Sequence, residues 1–249
     1  MPSILILGGT TEASALASAL GARGITAVLS YAGRVANPKP QPVPVRIGGF
    51  GGVDGLAAYL RRNRITHLVD ATHPFAAQMT RHSLAAAAQA GVAHLAFTRP
   101  AWAPEDGDTW QSVGDIDAAV AALAGPRRRV MLALGRMQVD AFAAQPQHRY
   151  LLRFVDQPDR AIGLPDHHVV VDRGPFTVAR DLTLMREQSI DVVVSKNAGG
   201  SGAVAKVIAA RALALPVLMI ERPVLPARTE VCAVEEVLRW LGHDADLGV

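Results

Sequence analysis

The sequence predicts an α/β fold in two halves, and three observations carry that expectation. Short apolar runs alternate with longer stretches whose apolar residues recur at helical spacing, the pattern of parallel strands with helices on both sheet faces. The first run, residues 3–7 (SILIL), shows no polar alternation and so reads as a strand buried on both faces, which implies a parallel sheet. At 249 residues the chain exceeds one typical domain and is too short for three. A compositional break at Gly125-Pro126, followed by three arginines and a fresh apolar run, suggests domains at 1–125 and 126–249.

The elements follow in order. Residues 11–20 place Ala13, Leu16, Ala17 and Leu20 on one helical stripe, with Thr10 or Thr11 available to cap it. Strands are expected at 26–30 and 43–47, a helix at 53–62 and a strand at 67–70. A long helix at 75–90 comes next, with Thr72 as a fair N-cap and Pro74 near its start, where proline is tolerated. A strand at 93–98 leads into a turn or linker at 99–108, rich in Pro and Asp, and then a helix at 115–124. Beyond the break, strands at 130–134, 150–154, 168–172, 191–195 and 217–220 alternate with helices at 177–188, 203–213 and 233–241. Ala133, Leu134, Gly135 and Arg136 faintly echo the opening loop, without a true internal repeat.

Composition narrows the class of function. Half the chain is hydrophobic (50%) and only 19% is charged, which supplies a buried core and argues against disorder. No apolar run reaches the roughly 18 residues needed to cross a bilayer, and no basic-then-apolar leader is seen, so no membrane association is expected. Cys232 is the single cysteine, which excludes an intramolecular disulfide and a four-cysteine zinc site and suits a reducing cytoplasm. The net charge of +3 is not gathered into a long basic tract, and 5% aromatic content leaves few stacking platforms, so no nucleic acid partner is expected. A cleft for a small polyanion suits this mild basic balance.

The chemistry sits at strand ends. Gly8-Gly9-Thr10-Thr11-Glu12 joins the first strand to the first helix, where unpaired N–H groups and a partial positive charge favour a phosphate. Thr10 and Ala13 stand where the later glycines of the common dinucleotide fingerprint would be, so alone the loop fits a plain turn as well as a ligand site. The second strand ends in Ser30-Tyr31-Ala32-Gly33-Arg34. There a hydroxyl and a guanidinium replace the carboxylate that grips the ribose of NAD, which favours the 2′-phosphate of NADPH over NADH. Arg34 reads equally as a solvated loop charge.

Gly48-Gly49-Phe50-Gly51-Gly52 permits close backbone approach, to adenine or phosphate if not simply a flexible loop. Asp70-Ala71-Thr72-His73-Pro74-Phe75-Ala76 ends the strand at 67–70. His73 is either structural or faces a nicotinamide or a substrate carboxylate. No metal is expected: His73 lacks a second ligand at metal spacing, and His167-His168 lacks the His-Glu-x-x-His arrangement. Ser195-Lys196-Asn197-Ala198-Gly199-Gly200 repeats the logic of an apolar strand followed by a polar glycine turn, suited to anions or to capping.

Taken in order, ILGGTTEA (6–13), SYAGR (30–34), GGFGG (48–52), DATHPFA (70–76), Arg99-Pro100-Ala101-Trp102, LALGR (132–136) and SKNAGG (195–200) resemble the precorrin-6A reductases of cobalamin biosynthesis across nearly the whole chain. The resemblance implies two Rossmann-like parallel-sheet domains with a cleft between them, an NADPH cofactor and a polycarboxylate tetrapyrrole substrate. It implies hydride transfer that converts precorrin-6A into precorrin-6B, in the cytoplasm and in contact with other enzymes of the pathway. It places Gly8, Gly9, Thr10, Thr11 and Glu12 at the pyrophosphate and adjoining ribose. Ser30, Gly33, Arg34 and Gly49 go to the adenosine side, and Thr72 and His73 to the nicotinamide. Ser195, Lys196, Asn197, Gly199 and Gly200 would meet substrate, with His73, Lys196 or bulk water as proton donor. The alternatives are an NADH-dependent enzyme acting on cobalt-precorrin-6A and a non-catalytic nucleotide or tetrapyrrole carrier.

Overall fold

The computed structural model of the chain describes residues 2–33, 40–158, 160–172, 174 and 176–246. The chain forms two units, Met1–Pro100 with Val224–Val249, and Ala101–Pro223. In the first lie β1 (Ser3–Leu7), α1 (Thr11–Ala22), β2 (Thr26–Tyr31), β3 (Val45–Ile47), α2 (Gly52–Arg62), β4 (His67–Asp70), α3 (Ala77–Ala90) and β5 (Ala93–Phe97). The second contains β6 (Thr109–Val113), α4 (Ile116–Ala122), β7 (Arg129–Ala133), α5 (Arg136–Val139) and a 3-10 turn (Asp140–Ala144). It continues with β8 (Arg149–Phe154), β9 (His167–Val171), α6 (Val178–Glu187), β10 (Val192–Lys196), α7 (Ala205–Ala212) and β11 (Pro216–Ile220). β12 (Glu230–Val231) and α8 (Val234–Asp246) return to the first unit.

Each unit holds a six-stranded parallel sheet, ordered β3-β2-β1-β4-β5-β12 in the first and β9-β8-β7-β10-β11-β6 in the second. Counted from β1 and from β7, both follow the doubly wound order third, second, first, fourth, fifth, sixth. In each sheet the sixth place is filled by a strand from outside the consecutive run. β12 comes after the whole second unit, and β6 comes before β7.

Strand β1 shows why the apolar run is continuous. Ile4 and Ile6 pack with Leu16 and Leu20 of α1 and Val237 and Leu241 of α8. Leu5 and Leu7 face the other way, onto Leu56 and Leu60 of α2 and Ala86 and Ala87 of α3. Successive side chains of a strand point to opposite faces, so a sheet covered on both sides needs apolar residues at every position. Full burial of each such leucine or isoleucine contributes roughly 1.5–3 kcal/mol. The second unit repeats the device, with Met131, Leu151, Val193 and Val217 packed with Met185 of α6 and Val207 of α7.

The domain boundary differs from the expected one. Gly125 (φ +116) lies in the turn between α4 and β7, inside the second unit. The segment before it belongs there because β6 pairs along its length with β11, from Thr109 with Pro216 to Val113 with Ile220. β6 escapes sequence reading because it is an edge strand, TWQSV, whose residues stay largely exposed. Strand β3 starts at Val45, not Val43, since Pro44 between them has no N–H to give to the ladder. Helix α3 starts at Ala77, and its N-cap is Ala76 without a side-chain bond, not Thr72.

Candidate functional site

In a doubly wound sheet, ligands sit beyond the carboxyl ends of the strands where the strand order reverses, which in the first unit is between β1 and β4. Gly8 donates its N–H to Ser30 O (2.9 Å), and a Cβ there would meet Leu29 Cδ1, part of a fully buried side chain, at 2.5 Å. Gly9 has φ +118, and beyond its two chain neighbours no heavy atom of the described residues lies within 4 Å of where a Cβ would project. The first is a packing glycine, and the second leaves its backbone open to a ligand.

Thr10 caps α1 by accepting from Ala13 N–H (3.1 Å), and its hydroxyl donates to Ala71 O (2.7 Å). One side chain thereby ties the loop after β1 to the loop after β4, and brings Gly8, Gly9, Thr10, Thr11 and Glu12 together with Thr72 and His73. Glu12, in the first turn of α1, is ion-paired with Arg99 (2.6 Å), from just beyond β5. Burial works to raise the Glu12 carboxyl, but its own backbone N–H and the Arg99 guanidinium outweigh this and hold it below the ordinary carboxylate value.

Across the switch point, Asp70 Oδ1 accepts from Thr72 N–H (3.1 Å) and from the Thr72 hydroxyl (2.7 Å), an Asx turn that uses Thr72 locally. The buried Ser83 hydroxyl lies 3.5 Å from Asp70 Oδ2 and 3.0 Å from His94 Nε2. Burial pushes the His94 imidazolium down, Asp70 opposes this, and Arg228 adds to it. His73 Nδ1 accepts from Phe75 N–H (3.2 Å), so the neutral ring carries its proton on Nε2.

At the outer side of this sheet, Ser30 is buried at the end of β2, and Gly33 turns the chain with φ +80. Arg34 lies outside the described residues. The residue that sequence reasoning missed here is Arg46, paired in register with Ser30 across β2 and β3. Its Nη1 donates to Ser30 Oγ (3.2 Å) and to Gly48 O, and its Nη2 donates to Gly49 O (2.6 Å). Its guanidinium lies 3.8 Å from the centroid of the Phe50 ring. The available signal was positional: an arginine in the short strand that leads into the glycine loop, next to the strand that ends without an acid.

The second unit has its own switch point, between β7 and β10. Ser195 and Lys196 end β10, and the loop after it holds Asn197, Gly199 and Gly200. Ser195 is fully buried and donates to Lys196 O (3.1 Å). Asn197 Oδ1 accepts from Trp102 N–H (2.8 Å), and its Nδ2 donates to Trp102 O (3.0 Å). Both therefore help to shape the loop through bonds to backbone.

Trp102 also donates its indole N–H to Gly200 O (2.8 Å), while Arg222 holds the carbonyls of Asn197 (3.1 Å) and Ala198 (3.2 Å). Gly199 and Gly200 take φ +72 and +67, a left-handed pair that lets the loop turn back. Lys196 is partly exposed at the end of β10. Among the described residues, no group of three or more His, Cys, Asp or Glu is arranged to hold a metal ion, and no helix is long and apolar enough to cross a membrane.

Comparison with known proteins follows the same outline. A family model described as "Precorrin-6x reductase CbiJ/CobK" matches residues 3–242. A precorrin-6A reductase of Rhodobacter capsulatus is 54% identical over 97% of this chain and 96% of its own length. One from Rhodococcus erythropolis is 48% identical over 97% and 98% of the two chains. A cobalt-precorrin-6A reductase of Priestia megaterium is 28% identical over 96% and 97%. A solved structure titled "CobK precorrin-6A reductase" superposes with a TM-score of 0.94 at 54% identity, covering 98% of this chain and 97% of the other.

Proposed function

The chain belongs to the precorrin-6x reductase family, and from that premise we propose that it reduces precorrin-6A to precorrin-6B with NADPH. In this reading the first unit holds the nucleotide, and loops of the second meet the carboxylates of the macrocycle.

The observation that carries the nucleotide's place is Gly9, whose open backbone stands at the switch point of the first sheet. A nicotinamide dinucleotide fits these residues. The first N–H groups of α1 have no acceptor within the helix and suit a pyrophosphate, with Gly9, Thr10, Thr11 and Glu12 presenting backbone to it. The Thr10 hydroxyl holds the two loops together, and Glu12 holds Arg99. Ser30, Gly33, Arg34 and Gly49 face the adenosine end, and the absence of a carboxylate from Ser30 to Gly33 suits a 2′-phosphate. Thr72 and His73 lie toward the nicotinamide end.

When bound, the reduced nicotinamide supplies a hydride to a conjugated double bond of the macrocycle, and a proton taken up at a neighbouring atom completes the reduction. A His73 imidazolium, the Lys196 ammonium or bulk water delivers that proton. Lys196 and the backbone of Gly199 and Gly200 meet a substrate carboxylate, while Ser195 and Asn197 keep their loop in shape. The greater identity to precorrin-6A reductases than to the cobalt-precorrin-6A enzyme supports the cobalt-free substrate.

Anaerobic mixing of the purified protein with precorrin-6A and either NADPH or NADH tests this. The expected result is a change in the macrocycle chromophore, with one NADPH consumed per macrocycle and far poorer turnover with NADH. Tight binding of both ligands without turnover would replace the enzyme with a carrier, and equal efficiency with NADH would overturn the cofactor assignment.

A further inference from the structure

We propose that Arg46 is the residue that selects a 2′-phosphorylated adenine nucleotide, acting as a guanidinium already fixed in place beside Ser30. The inference rests on the reading that the first unit binds a nicotinamide nucleotide, and it assigns the discrimination within that site.

Topology supplies the first argument. The end of β2 is where an NAD site offers a carboxylate to the ribose 2′-hydroxyl, and in this sheet the neighbour of that strand end is β3. The register pairs Ser30 with Arg46, so a cation stands beside the hydroxyl at the level where the ribose is read. Among the described residues, no carboxylate pairs with Arg46.

The bonding of the guanidinium supplies the second. Both Nη1 hydrogens are used, by Ser30 Oγ and Gly48 O, and one Nη2 hydrogen is used by Gly49 O. The Nε–H makes no bond among the described residues, and Nη2 makes one, to Gly49 O, with two hydrogens to give. Nε and Nη2 form one edge of the planar group, the fork that matches two phosphate oxygens. The Ser30 hydroxyl accepts from Arg46, which leaves its own hydrogen for the same anion.

Rigidity supplies the third. One face of the guanidinium rests on Phe50, at 3.8 Å, and the Tyr59 ring is 5.3 Å away. Phe50 is itself held by backbone packing. A Cβ at Gly55 would fall 1.8 Å from Phe50 O, so α2 approaches that carbonyl as only glycine allows. The arginine is thus ordered before any ligand arrives, and little side-chain entropy remains to be lost on binding.

Calorimetric titration of the wild type, Arg46→Gln and Arg46→Lys with NADP+ and with NAD+ decides the matter. Wild type is expected to prefer NADP+. Arg46→Gln should weaken NADP+ by about 10- to 150-fold, the scale of a lost hydrogen bond to a charged group, while changing NAD+ by less than about threefold. Arg46→Lys keeps the charge without the fork and should fall between them. If Arg46→Gln does not fold, the selective loss in Arg46→Lys carries the test alone. Equal losses for both nucleotides would make Arg46 only a clamp on the glycine loop. An unchanged NADP+ preference in Arg46→Gln, together with its loss in Arg34→Gln, would move selection to Arg34. A wild type that binds both nucleotides equally would instead refute the NADPH reading itself.

Discussion

Replacing Thr10 with valine removes a hydroxyl while keeping the side chain's shape, and the structure allows the cost to be worked out. The hydroxyl caps α1 through Ala13 N–H and donates to the carbonyl of Ala71, a residue with no exposed surface. Losing an N-cap costs about 1 kcal/mol, and leaving a buried carbonyl unsatisfied costs about 1–3 kcal/mol more. Valine leaves no cavity, so no packing loss is added, and the sum is about 2–4 kcal/mol against the opening of the first unit. Hydrogen exchange with mass spectrometry is the suitable assay, because peptides from the two units report separately and no single two-state transition has to be assumed. Amides of α1 that exchange through opening of the unit should lose about 30- to 1000-fold of their protection, while peptides of α6 and α7 keep theirs. Thr10→Ser keeps both bonds and should lose less than about tenfold. Valine and serine variants with equal protection would show that the tie between the two loops contributes nothing.

Two further outcomes follow from the same sheet. Gly55→Ala would gain about 1 kcal/mol in an ordinary exposed helix. Here the added methyl meets Phe50 O at 1.8 Å, so thermal unfolding should show a loss of more than about 3 kcal/mol, and an unchanged or raised midpoint would refute the close approach. Glu12 has a folded-state carboxyl below its ordinary value of 4.5, so its contribution is complete above that value and is lost as the pH falls through the lower folded value. The stability difference between wild type and Glu12→Gln, followed by urea titration at successive pH values, should therefore shrink as the solution is acidified through this range. A gap that widens would contradict the sign.

What could be read from the sequence followed from burial. β1, β7 and β10 are covered on both faces, so each announces itself as an apolar run, and the helices between them show their stripes. The glycine loops were legible for the same reason, since they close those strands. The edges were not. β6 is largely exposed, and β12 spans only Glu230–Val231, so neither carries a pattern that a window can detect. Those two strands decide where the units divide, and the break at Gly125-Pro126 was misread accordingly. Within the site, sequence reasoning found Ser30 but passed over Arg46, because the pairing of β2 with β3 places them together across 16 residues of chain. Asn197 and Ser195 show a second role, since each bonds to backbone. A polar residue in a glycine turn serves the backbone as readily as it serves a substrate, and the bonds of Asn197 to Trp102 are of the first kind.

The two sheets share one strand order, yet the loops at their switch points differ in build. After β1 the chain enters α1, Thr11–Ala22, long enough to carry a macrodipole and an array of unpaired N–H groups, and Gly9 leaves room in front of them. After β7 it enters only α5, Arg136–Val139, before a 3-10 turn takes over, so the corresponding end offers far less of either. The second unit makes up the difference at β10, where Trp102 and Arg222 pin a left-handed glycine pair beside Lys196. A backbone dipole suits a ligand whose charge is concentrated in one pyrophosphate. A lysine on a shaped loop suits one whose charge is spread over several carboxylates. The faint echo between Gly8-Gly9 and Gly135-Arg136 is thus an echo of topology, and the chemistry assigned to each unit follows from what comes after it.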